Sequence, residues 1–97
     1  IVVFKKSYDI DINGKKRTNY YVLESTGIAT GFLISAIHAA GLVTLTHTPS
    51  PMNFLSRLLN RPENEKPFLL LPVGYAADEC WVPQLKKKTI NEVSVLY

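Results

Sequence analysis

From Gly27 to Ala40 the chain carries no Asp, Glu, Lys or Arg, and no Pro interrupts it from Tyr20 onward. A segment of this kind is a helix without a polar face, and such a helix has to be covered on every side. The pattern predicts a helix from about Tyr20 to Ala40, ended by Gly41 in the left-handed conformation that glycine adopts most readily. The stretch Gly27 to Val43 approaches the length of the shortest membrane spans, but it contains Thr30, Ser35 and His38. A buried helix is therefore expected, and no membrane span. Along one side Gly27, Gly31, Ser35 and Ala39 recur every fourth residue. A glycine in a helix interior costs about 1 kcal/mol relative to alanine, so two on one stripe suggest that another backbone passes close by. Either a second helix crosses there, across a two-fold axis, or the stripe packs on the chain's own sheet.

The rest of the sequence offers little to cover this helix. Ile1 to Ser7 reads as a strand, and Asn13-Gly14 marks a turn within a polar stretch. Leu42 to His47 is β-branched and strand-like. Ser50 suits a cap and Pro51 the first turn of a second helix, Pro51 to Asn60, with Phe54, Leu55, Leu58 and Leu59 on one face. Arg61 to Lys66 is a polar loop, and Phe68 to Val73 an apolar strand of the kind buried on both faces, ended by Gly74. The tail from Ala76 to Tyr97 shows no helical period and is expected to be extended. A sheet of about three strands leaves apolar surface open, so the missing cover is expected from further sequence, a second subunit, or both. The start on Ile1-Val2-Val3-Phe4, without Met, is expected of an interior fragment.

Composition narrows the function classes. With 46% hydrophobic and 20% charged residues in 97, the chain makes one ordinary soluble domain at most. The net charge of +3 is spread over Lys5-Lys6, Lys15-Lys16-Arg17 and Lys86-Lys87-Lys88, separated by apolar sequence. A small basic nucleic-acid-binding module, with Tyr20, Tyr21 and Trp81 as stacking groups, is the alternative reading. The tyrosines abut the start of the apolar helix and the clusters lie far apart, so no nucleic-acid partner is expected. Cys80 is the single cysteine, which excludes an internal disulfide and fits a reducing, cytoplasmic location. There is no glycine-rich phosphate loop, no metal-ligand cluster and no nucleophile elbow. His38, on the apolar helix, reads as a core histidine. His47 stands at a strand end beside Thr46 and Thr48, a place where ligands often bind in sheets flanked by helices.

Several spaced motifs, in one order, carry a resemblance. Gly27-Ile28-Ala29-Thr30-Gly31 followed by Ala40-Gly41-Leu42 resembles the central dimer-interface helix of the FMN-dependent nitroreductase superfamily. Thr44 to Pro49, Arg61 to Lys66, Leu71-Pro72-Val73-Gly74-Tyr75, and Val82-Pro83 with Lys86-Lys87-Lys88 resemble the C-terminal half of its iodotyrosine deiodinase-like branch. The resemblance implies an α+β fold, a sheet flanked by helices with a long central apolar helix and an extended C-terminal tail. Residues 1–97 would form the C-terminal part of the FMN-binding domain. It further implies a homodimer with FMN in the interface, reduced by NAD(P)H or another donor, that passes electrons to a small aromatic: a halophenol, nitroaromatic or quinone. Thr46, His47 and Thr48 match the segment beside the isoalloxazine ring, with the Thr48 hydroxyl as the catalytic group facing N5. A donor there stabilises one-electron-reduced flavin and favours reductive dehalogenation over hydride transfer. Lys87 matches an arginine that reaches the FMN phosphate, with a point charge in place of a bidentate fork. The family's N-terminal Arg and Ser cluster and its lid of Glu, Tyr and Lys have no counterpart here, so this chain alone is expected to be inactive. A flavin-free structural relative remains the other alternative.

Overall fold

The computed structural model describes residues 1–97, in chain order β1 (Val2–Lys6), β2 (Tyr8–Ile10), β3 (Lys16–Thr18), α1 (Val22–Ala39), β4 (Val43–Thr44), α2 (Phe54–Leu58), β5 (Glu65–Leu70), β6 (Val73–Gly74) and α3 (Ile90–Val93). The turn foreseen at Asn13-Gly14 closes a hairpin of β2 on β3, which the polar sequence concealed. Its tip is local chemistry: Asp11 Oδ1 accepts from the Asn13 and Lys15 amides at 2.9 and 2.8 Å, and Gly14 takes φ of 77°. Asp side chains commonly build turns in this way.

The apolar segment folds as α1 and ends as expected. Gly41, at φ of 75°, donates to the His38 carbonyl at 3.0 Å, and Leu42 donates to the Ile37 carbonyl at 3.1 Å. Those two bonds make a Schellman motif. The expected burial is not met within this chain. Only Thr30 and Ile37 are buried, where α1 lies against β1 and β4, while Ile28 and Phe32 remain 64% and 74% exposed. A Cβ added at Gly27 or Gly31 would meet nothing within 4 Å, so the small-residue stripe does not pack on the chain's own sheet. By length and composition α1 could cross a membrane, and within this chain it lies against β1 and β4 with 11% of it buried.

β5 is the organising strand. On one side β1 pairs with it antiparallel, and the register slips between Val3 and Phe4 opposite Pro67. Proline has no N–H to give a ladder, and bulges are where sheets tolerate it. The pairing runs on to Leu71, whose N–H donates to the Ile1 carbonyl and whose carbonyl accepts from the Ile1 ammonium, both at 2.8 Å. Leu71 is fully buried, with Ile37 and Leu55 the core of the chain.

Other boundaries differ from expectation. α2 is shorter than Pro51 to Asn60, and its N-cap is Asn53, without a side-chain cap, in place of Ser50. It closes early because Asn60, at φ of 50°, donates to the Arg57 carbonyl while Arg61 donates to that of Ser56 at 2.8 Å. β5 begins at Glu65, inside the expected loop, where Glu65 is tied to Arg61 at 2.6 Å. The apolar run Phe68 to Val73 is divided at Leu71-Pro72 into β5 and β6, and its strand residues are half-buried or exposed. The tail is extended and exposed except for the single turn α3, capped reciprocally by Thr89 and Glu92. Glu92 Oε2 accepts from the Thr89 amide and hydroxyl at 2.8 and 2.9 Å.

Candidate functional site

Leu42 to His47 is β-branched and extended, yet only Val43 and Thr44 form a regular strand. Their partners are Gly74 and Val73, and a separate bridge joins His47 to Leu70. All three pairs share one antiparallel register, which sets Leu45 opposite Pro72 and Thr46 opposite Leu71. The His47 amide donates to the Leu70 carbonyl and the Leu70 amide to the His47 carbonyl, both at 2.9 Å. Residues exchange such double bonds at every second position of an antiparallel pair, and those between them point their N–H and C=O groups away. Thr46 and Thr48 are the residues between. Their main-chain groups therefore face the open edge of the sheet, and no protein group bonds either amide or either hydroxyl.

Side chains two apart in an extended segment share a face. Thr46 and Thr48 thus present two hydroxyls on one face, and His47 presents its imidazole on the other. All three are exposed. With its main chain committed to Leu70, His47 can reach a ligand only through the ring. Lys87 lies elsewhere, in the exposed tail, with no hydrogen bond or ion pair to the threonine edge. Its neighbours Lys86 and Lys88 are exposed too.

Beside the edge, an apolar groove of about 580 Å³ is lined by Val43, Leu45, Val73, Tyr75 and Val82 among others. Lys6 is paired with Asp9, and the Lys16 ammonium sits 4.6 Å from the centre of the Tyr8 ring. The Lys6 contact holds the Asp9 carboxyl below its ordinary range and raises the Lys6 ammonium.

Set against known proteins, the whole chain is 63% identical over 97 residues to an iodotyrosine deiodinase from Haliscomenobacter hydrossis, of which it covers 44%. Along its whole length the chain is similar in sequence to iodotyrosine deiodinases. An iodotyrosine deiodinase from Hydra vulgaris is 47% identical over 98 residues, with all of this chain and 36% of that protein covered. The chain thus spans less than half the length of these curated relatives. A crystal structure of oxidized iodotyrosine deiodinase bound to FMN and 3-iodo-L-tyrosine superposes with a TM-score of 0.61 at 28% identity, over 78% of this chain and 41% of that one. The α+β, nitroreductase-like fold is accordingly that of the deiodinase. No protein-family model matches the chain.

The Thr44 hydroxyl donates to the Pro72 carbonyl at 2.6 Å, a side-chain tie that the sequence motif did not reveal.

Proposed function

We propose that the protein is an FMN-dependent oxidoreductase, a reductive dehalogenase of small halogenated aromatics of the halotyrosine type, working as a homodimer. The observation that carries this reading is the Thr46 and Thr48 edge: unpaired amide and hydroxyl donors, with no carboxylate between Val43 and Thr48, in a deiodinase-like sequence. Such a donor set suits the ring nitrogen and carbonyl acceptors of an isoalloxazine. When bound, FMN supplies the stored electrons, and the protein tunes their delivery by hydrogen bonds near N5 and N1. The Thr48 hydroxyl holds a donated proton toward N5, and the Thr46 amide serves a neighbouring carbonyl. His47 fixes both by locking the segment to Leu70. Lys87 contributes a positive charge for the phosphate by movement of the exposed tail. The exposed face of α1, with its glycine stripe, is the surface on which a second copy docks.

The test is made on the full-length protein supplied with FMN. Visible flavin absorbance and quenched flavin fluorescence are expected, and Thr48→Ala is expected to retain FMN while shifting its midpoint potential. A protein that leaves FMN fluorescence unchanged removes the proposal. NAD(P)H is the proposed electron donor, checked by the rate at which it bleaches the bound flavin.

A further inference from the structure

We propose that Thr44 is a positioning residue for the flavin-facing edge, its hydroxyl tying β4 to the Pro72 carbonyl where the backbone ladder is interrupted. The inference rests on the FMN reading above. In the register shared by Val43 with Gly74 and His47 with Leu70, the doubly bonded position between them is Leu45 opposite Pro72. Proline has no N–H, so the ladder is broken there, and β4 and the His47 bridge are separate pieces of one strand. The Pro72 carbonyl, which proline keeps, accepts from the Thr44 hydroxyl at 2.6 Å, and the Leu45 amide makes no bond to it. This bond spans the gap between the two anchored ends. It lies immediately ahead of Leu45 and Thr46, where an unanchored segment could shift the donors of Thr46 and Thr48 relative to a bound ring. Donor geometry at this scale controls hydrogen-bond strength, which falls steeply with angle. Thr44 itself touches no cofactor in this account, and its effect passes through the strand.

The experiment compares Thr44→Val, which keeps the shape and removes the hydroxyl, with Thr44→Ser, which keeps the hydroxyl, in the full-length protein. Two readouts are taken: the absorption spectrum and midpoint potential of bound FMN, and hydrogen exchange of the His47 and Leu70 amides without FMN. Thr44→Val is expected to alter the flavin spectrum and potential and to speed exchange at both amides about fivefold, the size expected for one hydrogen bond. Thr44→Ser is expected to restore both. Should Thr44→Val not fold, Thr44→Ala takes its place in the same comparison with Thr44→Ser. If Thr44→Val matches the parent while Thr48→Ala shifts the potential, the positioning role is overturned and the flavin site stands. If Thr44→Ser behaves as Thr44→Val, the hydroxyl is not the cause and the proposal falls. If the parent binds no FMN, both readings fall together.

Discussion

Truncating Phe32 to alanine separates a covered α1 from a bare one. Within this chain Phe32 is 74% exposed, and Ile28, one turn earlier, is 64% exposed. A surface substitution free of such cover changes stability by less than about 0.5 kcal/mol. A buried phenylalanine cut to alanine costs about 3 to 5 kcal/mol. In a two-fold symmetric interface the side chain is lost twice, so about 6 kcal/mol disappears per dimer even at the lower figure. At about 1.4 kcal/mol per tenfold, the dimer dissociation constant should rise by on the order of four decades. Sedimentation of the full-length protein over a concentration series reads that shift directly, and urea unfolding at each concentration shows whether stability follows assembly. Phe32→Ala is expected to yield monomer at micromolar concentration. A variant that sediments and unfolds like its parent at every concentration would show that no second copy covers this face.

The glycine stripe gives an independent check: a Cβ at Gly31 meets nothing in this chain, so Gly31→Ala should stabilise an uncovered helix by about 1 kcal/mol but weaken a dimer crossing there, as sedimentation would report. Leu71→Ala removes the one fully buried side chain and should cost about 2 to 5 kcal/mol in denaturant unfolding; a loss below about 1 kcal/mol would place the core elsewhere. Lys87→Arg should tighten FMN binding and Lys87→Ala loosen it, measured by fluorescence titration, and equal affinities would remove Lys87 from the phosphate site. The Thr89 amide and hydroxyl hold the Glu92 carboxyl below its ordinary value of 4.5. A depressed carboxyl contributes stability above its unfolded value and loses it as pH falls through the folded one, so the α3 turn should open in acid. A carboxyl titration by NMR should find the Glu92 midpoint below 4.5 in the parent and moved upward in Thr89→Ala, which removes the hydroxyl and keeps the main-chain amide.

What was legible in the sequence is what local chemistry settles. The end of α1 follows from Gly41 and the two bonds its left-handed turn permits, and the turn at Gly14 follows from Asp11. The absence of charge from Gly27 to Ala40 implied a helix needing cover, and within this chain Ile28 and Phe32 lie uncovered. Resemblance drew attention to Thr46, His47, Thr48 and Lys87 as a set. Only the tertiary structure separated their roles. Whether a residue of an extended segment offers its amide to a ligand or gives it to a neighbouring strand depends on register. Here the register is set by Leu70 and Pro72, far along the chain. The alternation of the antiparallel ladder turns Thr46 and Thr48 outward and His47 inward, and the Thr44 hydroxyl ties the strand to the Pro72 carbonyl. Periodicity along one strand carries no information about which phase its partner will impose, because pairing is a contact between segments distant in sequence.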